Sequence, residues 1–167
     1  MSKQSIPAGR AESTQRAELS LERLLEWVPR HDTKASVLFG IQAGMLGTIA
    51  ASFTTPISLS VSHSYLLVIT VCCLGMSIIF NCLGMFPHIR GPKKSLLFFC
   101  SIAGRSYREF QKQWLQQSNE DYLTDLLQQI HVNALIAEKK YLWLARAYIL
   151  TATATIPWAL IIYLLHK

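Results

Sequence analysis

Three apolar blocks alternate with polar, charged segments along the 167-residue chain. The blocks occupy residues 35–53, 65–86 and 147–165. Each reaches the roughly 18 residues that a helix needs to cross a hydrocarbon core about 30 Å thick. The pattern therefore predicts an all-α integral membrane protein with three spans, in which the first two form a helical hairpin.

The polar segment between the hairpin and the third span is long enough to fold as a module of its own. We expect four parts: an N-terminal segment with a short amphipathic helix at 1–34, the hairpin at 35–87, a helical module at 88–144, and the third span with a short tail at 145–167. The composition agrees with a membrane protein, because 51% of the residues are hydrophobic.

The N-terminal segment carries signals for helix ends. Residues 1–9 are polar and are expected to be disordered, and a helical pattern starts at about Glu12. Pro29 is expected to break or kink this helix, because proline lacks a backbone donor. Asp32 stands just before the first apolar block, so we expect it to cap the N-terminus of the first span.

A run without Gly or Pro, from Arg105 to Thr155, predicts an extended helix. Within it, apolar residues recur at alternating spacings of four and three, the pattern of a heptad-type seam. The seam consists of Leu123, Leu127, Ile130, Ala134, Ala137, Tyr141 and Leu144. We expect one helix over about 119–165 that is continuous with the third span, and a helix broken near Arg146 is the alternative.

Small and polar residues in the first two spans bear on packing. Gly40, Gly44 and Gly47 allow helix backbones to approach closely. We favour a contact between the first two spans, and the alternative is a face toward a pore or a second copy of the chain. Gln42 is the strongly polar side chain among these glycines, and Asn81 in the second span is expected to hydrogen-bond to a neighbouring helix.

The distribution of basic residues predicts the orientation. Six Lys and Arg residues precede the first span and nine lie in residues 88–146, whereas the hairpin loop at 54–64 has none. Positively charged loops stay in the cytoplasm. The N-terminus and residues 88–144 are therefore expected to be cytoplasmic. Because topology accounts for the net charge of +6, we expect no nucleic-acid partner.

Motifs for catalysis and metal binding are missing from the sequence. It has no phosphate-binding glycine loop, no paired cysteines and no HExxH. No acidic or basic residue lies deep in a span, which argues against an ion pump or a proton-coupled transporter. We therefore expect a protein that is not an enzyme and that holds no metal.

A cluster of basic and aromatic residues in the middle segment is a candidate ligand site. Arg105 and Arg108 share a helical face, and Lys112 follows one turn later. With Tyr107 and Tyr141 they would hold an anion and stack a base. Anchoring of anionic lipid headgroups is the alternative, and it is the favoured role of Lys139, Lys140 and Arg146, which lie close to the third span.

Several short stretches resemble one known family. Residues 32–35 read Asp-Thr-Lys-Ala ahead of a glycine-rich span, and a Phe98-Phe99 pair follows the hairpin. Tyr107 precedes Phe110, and residues 129–141 lead into the final span. In order and spacing these stretches are similar to the transmembrane effectors of bacterial Pycsar anti-phage systems.

The resemblance implies a specific function. Such effectors respond to a cyclic pyrimidine mononucleotide, cCMP or cUMP, that a partner pyrimidine cyclase makes on infection. They impair the inner membrane and stop growth. The nucleotide is an activating ligand, and no cofactor is implied.

The residues alone leave other functions open. A single chain supplies three spans, too few to enclose an aqueous pore easily, so we expect a homo-oligomer in the lipid bilayer. The glycine face and the heptad seam are its candidate interfaces. The alternative function is a constitutive membrane scaffold whose cytosolic helices recruit a protein partner. An enzyme acting on an interfacial lipid is a third and less favoured possibility.

Overall fold

The computed structural model describes residues 8–52, 61–86, 91–92 and 94–165. Every regular element in these ranges is a helix: α1 Ala8–Ser52, α2 Val61–Met85, α3 Phe99–Ala103, α4 Tyr107–Gln116 and α5 Asn119–Leu165. Helices α1, α2 and α5 are long and apolar enough to cross a membrane. The all-α membrane fold is therefore confirmed. Disorder was expected over residues 1–9 and a hairpin loop over 54–64; of these, residues 1–7 and 54–60 lie outside the described residues, as does the tail after Leu165. Residues 8–9 and 61–64 are helical, so the expectation is wrong for them.

The chain divides into two compact units. The first takes its residues from 1–29 and 87–138, and the second from 30–86 and 139–167. Helices α1 and α5 each contribute residues to both units, whereas α3 and α4 belong to the first unit and α2 to the second. We call them the cytosolic-type unit and the spanning unit, after the polar and apolar character of their residues.

Helix α1 runs through the proline that was expected to interrupt it. Pro29 lies inside its 45 residues, and the predicted break is wrong. A proline removes one backbone hydrogen bond, and the helical turns on both sides keep theirs. Asp32 is therefore an interior residue and does not cap a helix. Its carbonyl accepts a hydrogen bond from Ser36 Oγ at 2.8 Å, as a helix-interior carbonyl can.

Helix α5 is continuous from Asn119 to Leu165, as its lack of internal glycine predicts, and the alternative of a break near Arg146 is wrong. Its 47 residues correspond to about 70 Å at about 1.5 Å per residue. Pro157 lies within the helix.

Burial along α5 does not follow the predicted seam. Leu144 is buried, but Leu127 is 54% exposed and Ala134 is also exposed. The buried residues of α5 are Asp125, Leu126, Gln129, Lys140, Leu144, Ala147, Thr151, Ala154 and Ile161. The predicted seam was defined by apolar residues only. Several of the buried positions instead hold polar side chains, which form their hydrogen bonds inside the fold. Leu127 and Ala134 thus lie outside the core of a single chain.

Two apolar clusters form the core of the spanning unit among the residues that the structure describes. Ala35 and Leu38 of α1 pack with Leu144 and Ala147 of α5. Further along the helices, the second cluster comprises Met45, Ile49, Leu74 and Ala154. Burial of such side chains contributes about 25 cal/mol per Å² in water, but between lipid-embedded helices dispersion and hydrogen bonds take over. Large apolar side chains such as Val37 and Ile149 point outward, as lipid contact requires.

The cytosolic-type unit contains the short apolar stretch at 95–103. Its first residues, Ser95 and Leu96, are buried, and its later part forms α3, where Phe99 is 64% exposed. Gly104 ends α3, as expected from the sequence. Arg105 then donates from Nη1 to the carbonyl oxygen of Ser95 at 2.7 Å, which fixes the turn between α3 and α4.

Candidate functional site

A polar cavity of about 390 Å³ lies in the cytosolic-type unit. Its walls come from the segment before α3, from α4 and from the first turns of α5. The side chains that line it are mainly amides and carboxylates, among them Gln113, Gln116, Asp121, Asp125 and Gln128. The volume lies in the range of small-molecule sites, about 300–1,000 Å³, and the lining is more polar than that of most such sites.

Asp125 is the buried acid in the wall of this cavity. The residue is 8% exposed, and its Oδ2 accepts a hydrogen bond from the backbone N–H of Leu96 at 2.8 Å. Its Oδ1 is buried and has no hydrogen-bond partner among the described residues. A buried acceptor without a donor costs about 1–3 kcal/mol, so Asp125 has an unused capacity to accept a hydrogen bond.

Ser95 and Gln129 fix the wall around Asp125. Gln129 donates from Nε2 to Ser95 Oγ at 2.8 Å, and the same oxygen accepts from the backbone N–H groups of Leu97 and Phe98, each at 3.0 Å. The start of the apolar stretch at 95–103 is thereby tied to α5. This arrangement holds the Leu96 N–H against Asp125.

Helix α4 supplies the opposite wall. Its N-terminus is capped by Ser106, whose side chain accepts from the backbone N–H of Glu109. Gln113 and Gln116 line the cavity. Lys112 lies four residues before Gln116 and is exposed, so the two side chains are neighbours on the helix surface. A cation therefore stands beside one wall of the cavity.

A second cavity, of about 550 Å³, lies between the first turns of α1 and α5. Its polar groups are paired: Tyr122 donates to Glu18 Oε1 at 2.8 Å, and Arg10 meets Glu120 at 2.6 Å. Desolvation, and then the hydrogen bond and the charge of Glu18, raise the pKa of Tyr122 above its ordinary value of 10.0. These pairs hold the two helices together and leave the cavity lined largely by satisfied groups.

A charged cluster occupies the edge of the spanning unit. Lys140 is buried, and its Nζ donates to Asp32 Oδ1 at 2.9 Å. His31 is 1% exposed and donates from Nε2 to the carbonyl oxygen of Lys140 at 3.0 Å, since that oxygen can only accept. Its Nδ1 lies 3.0 Å from Asp32 Oδ1. We call His31, Asp32 and Lys140 the charged triad.

The electrostatics of the charged triad favour ionised Asp32. Desolvation raises the pKa of the Asp32 carboxyl, but the hydrogen bonds from Lys140 and His31, together with their charges, outweigh it and lower the pKa below 3.8. Tyr141 packs edge-on against the His31 ring, with centroids 5.3 Å apart. Lys140 is therefore part of an internal ion pair, and the predicted lipid-anchoring role for this residue is wrong.

A network of polar side chains lies buried at the centre of the spanning unit. Gln42 donates from Nε2 to Ser77 Oγ at 2.7 Å and to Thr151 Oγ1 at 3.1 Å, so it joins all three spans. Asn81 donates from Nδ2 to the carbonyl oxygen of Ala35 at 2.9 Å. Asn81 Oδ1 has no partner among the described residues. The expected hydrogen bond from Asn81 to a neighbouring helix is confirmed.

The three glycines of the first span lie apart from this network. A Cβ added at Gly40, Gly44 or Gly47 would meet nothing within 4 Å. The favoured interpretation, a contact between the first two spans, is therefore wrong for these glycines. Buried residues of α1 alternate with them around the helix, and close approach inside the unit occurs instead at Gly84.

A family model described as the Pycsar effector protein domain matches residues 16–166. The chain belongs to the Pycsar effector family. This membership gives the effector a role in anti-phage defence, in a system that pairs a membrane-associated effector with a cyclase. The family is not a known enzyme family, and its membrane domain implies the inner membrane. No curated protein and no solved structure gives a significant match to the chain.

The matched region of this Pycsar effector includes every candidate ligand residue, and they divide between the units. Tyr107, Arg108 and Lys112 are exposed on α4. Arg105 precedes α4 and is engaged with Ser95, so it does not share a helical face with Arg108 as expected. Tyr141 belongs to the spanning unit, where it contacts His31.

Sequence reasoning about the effector missed its buried polar residues outside the spans. Asp125, Gln129 and Lys140 stand on a helix whose apolar pattern was the main signal. Their burial depends on partners 29 to 108 residues away, at Leu96, Ser95 and Asp32. Among the residues that the structure describes, no group of three or more His, Cys, Asp or Glu side chains could hold a metal ion.

Proposed function

We propose that this protein is a cyclic-nucleotide-activated effector of the inner membrane. A cyclic pyrimidine mononucleotide, cCMP or cUMP, binds the cytosolic-type unit and changes the packing of the spans. The membrane then loses its integrity, and growth stops or the cell dies before phage spreads. Membership of the Pycsar effector family supports this function, because the family implies a partner cyclase.

The course of α1 and α5 is the main structural support. Each helix has its first part in the cytosolic-type unit and its later part in the spanning unit. A rotation or strain at Tyr122 or Asp125 is therefore carried along an unbroken helix into residues such as Thr151. A ligand produces such a change only if it binds the two arrangements of the helices with different affinity.

The buried polar network would allow the spans to adopt a second, water-filled arrangement. Hydrogen bonds between helices in membranes are individually weak, about 0.6 kcal/mol on average. Gln42, Ser77 and Thr151 can exchange their mutual hydrogen bonds for water without a large loss. A bundle with such a centre opens to water more readily than one with an apolar centre.

Several copies of the chain form the disrupting assembly. Gly40, Gly44 and Gly47 leave an open face on α1 that a helix of a second copy can approach closely. In detergent, the mass of the particle should therefore exceed that of a monomer. Gly44→Leu should lower this mass, whereas Gly75→Leu, at a second glycine with open surroundings, should not.

The orientation places the ligand-binding unit on the side of the cyclase. The basic residues before the first span and in residues 88–146 keep these segments in the cytoplasm. The exposed Arg108 and Lys112 of α4 then attract the anionic nucleotide, and Tyr107 on the same helix is a further candidate contact.

Vesicle leakage tests the proposal. The purified protein is reconstituted into phosphatidylethanolamine–phosphatidylglycerol vesicles that hold a self-quenched dye, and cCMP, cUMP or the linear 5′-monophosphates are supplied on both sides. We expect one of the cyclic nucleotides to raise leakage in a saturable way and the linear ones to have no effect. Thermal unfolding in detergent gives an independent measure of binding, since a ligand that prefers the native state raises the unfolding temperature.

The alternative is a constitutive scaffold that recruits a protein partner. Unchanged leakage and unchanged unfolding temperature with every cyclic nucleotide would overturn nucleotide activation. Leakage that is the same with and without nucleotide would also contradict the proposed switch.

A further inference from the structure

The unpaired oxygen of Asp125 indicates what the polar cavity recognises. Oδ2 is committed to the backbone N–H of Leu96, and Oδ1 is buried without a donor. The carboxylate can accept hydrogen bonds but cannot donate one. An occupant that satisfies Asp125 must therefore bring an N–H or O–H group to it.

We infer that the cavity beside Asp125 reads the exocyclic amino group of a cytosine base, so that the effector responds to cCMP in preference to cUMP. This inference rests on the proposed activation by a cyclic pyrimidine mononucleotide and names the base. A carboxylate accepting from the 4-amino group of cytosine is an established pairing in base recognition. Uracil carries a carbonyl oxygen at the same position, and two acceptors would face each other.

The shapes of the two bases add to the distinction. The 4-amino group of cytosine projects beyond the ring, so it can approach Asp125 ahead of the ring atoms. The N3–H of uracil lies between two carbonyl oxygens, which would be pressed against the carboxylate before that hydrogen reached it. The amide side chains of Gln113 and Gln128, which line the same cavity, can donate to the remaining ring acceptors of cytosine.

The charged side chains around the cavity indicate where the cyclic phosphate of the ligand would lie. Asp121 and Asp125 repel a phosphate, whereas the base itself is neutral. Lys94 is the cation among the cavity-lining residues that the structure describes, and Lys112 adjoins Gln116 on α4. These two exposed side chains can meet the cyclic phosphate while the base lies against Asp125.

Asp125→Asn is the decisive substitution. The Asn oxygen can keep the hydrogen bond from Leu96, and the Asn amide nitrogen then offers a donor where the carboxylate offered an acceptor. Dissociation constants of the full-length protein in detergent are measured for cCMP and cUMP by calorimetry. We expect the natural protein to bind cCMP at least about tenfold more tightly than cUMP, and the Asn variant to lose or reverse this ratio.

Two further variants control the experiment. Asp121→Asn removes the same charge from the same cavity, but Asp121 Oδ2 is engaged by Ser118 Oγ at 2.6 Å, so the ratio should not change. Gln116→Trp fills the cavity from an exposed position and should weaken both nucleotides about tenfold or more, with the unfolding temperature of the free protein unchanged. This variant tests the location of the site even if Asp125→Asn fails to fold.

The outcomes separate the two proposals. Equal affinity of the natural protein for cCMP and cUMP, or a preference for cUMP, would overturn the assignment of the base and leave nucleotide activation intact. Undiminished binding by the Gln116→Trp variant would overturn the location. If neither cCMP nor cUMP binds, the proposed function on which the inference rests is overturned instead.

Discussion

The ammonium of Lys140 lies 2.9 Å from the Asp32 carboxylate, although 108 residues separate them in the chain. The two side chains differ in exposure, since the lysine side chain is 7% exposed and the aspartate side chain 45%. Loss of the acid therefore leaves a buried charge without its counter-ion. Loss of the lysine leaves an acid that water can still solvate.

This asymmetry predicts different costs for two substitutions. We expect Asp32→Asn to lower the free energy of unfolding by about 1–2 kcal/mol, because a charged hydrogen bond is lost and water screens part of the effect. Lys140→Met should cost about 1 kcal/mol or less. Chemical unfolding in detergent measures both, and the double variant should be less destabilised than the sum of the singles. A larger loss for Lys140→Met would contradict the asymmetry.

The lowered pKa of Asp32 predicts a dependence on acid. Because the folded-state pKa lies below 3.8, the ionised carboxylate stabilises the fold above that value. The contribution is lost as the pH falls through the folded-state pKa. The difference in unfolding temperature between the natural protein and Asp32→Asn should thus be constant above about pH 5 and shrink in stronger acid. In a Lys140→Met background the difference should be smaller and should vanish at higher pH, because the folded-state pKa of Asp32 then lies closer to its unfolded value. A difference that widens in acid would contradict a lowered pKa of Asp32 in the fold.

The sequence predicts the spans better than it predicts the contacts of the polar residues. A block of apolar residues such as 65–86 is sufficient to predict a membrane helix, because the bilayer sets the length. The charged triad depends on α1 and α5 meeting at His31, and no local pattern encodes that meeting. Asp32 was expected to cap a helix because the residues beside it looked like a helix start, and only the continuity of α1 through Pro29 removes that role.

The glycines also show that the sequence predicts membrane helices better than it predicts the contacts between them. Gly44 and Gly84 both stand in apolar helices, and spacing alone favours Gly44 as a packing residue. The structure gives that role to Gly84, where an added Cβ would lie 3.3 Å from Trp143 Cβ and 3.4 Å from the Lys140 carbonyl oxygen. Whether a glycine faces a neighbouring helix depends on the rotation of its own helix, which the spacing of small residues does not determine.

A matched pair of glycine substitutions tests this difference. Gly84→Ala and Gly44→Ala gain the same helix propensity, so their difference reports packing alone. We expect Gly84→Ala to be less stable than Gly44→Ala by about 1–3 kcal/mol, because the methyl group separates α2 from α5. The hydrogen bond from His31 to the Lys140 carbonyl should also weaken, which the ring proton shifts of His31 would report. Equal stability of the two variants would show that the contact at Gly84 relaxes without cost.

The buried network predicts that Gln42 and Asn81 contribute differently to the stability of the spans. Gln42 makes hydrogen bonds through both its nitrogen and its oxygen, whereas Asn81 has a buried oxygen without a partner among the described residues. Replacement of Asn81 by Leu removes that unsatisfied oxygen together with the bonds to the Ala35 carbonyl oxygen and to Gln42 Oε1. Replacement of Gln42 by Met removes satisfied bonds only and leaves Thr151 with fewer partners.

We therefore expect Gln42→Met to lower the free energy of unfolding by about 1–2 kcal/mol, and Asn81→Leu by less. Unfolding in mixed micelles with increasing sodium dodecyl sulfate measures both losses. Ser36→Ala, at an exposed position whose hydroxyl bonds only within its own helix, serves as the control and should have little effect. A greater loss for Asn81→Leu would contradict this order and would show that the bonds of Asn81 to Ala35 and Gln42 stabilise the spans more than the bonds of Gln42 to Ser77 and Thr151.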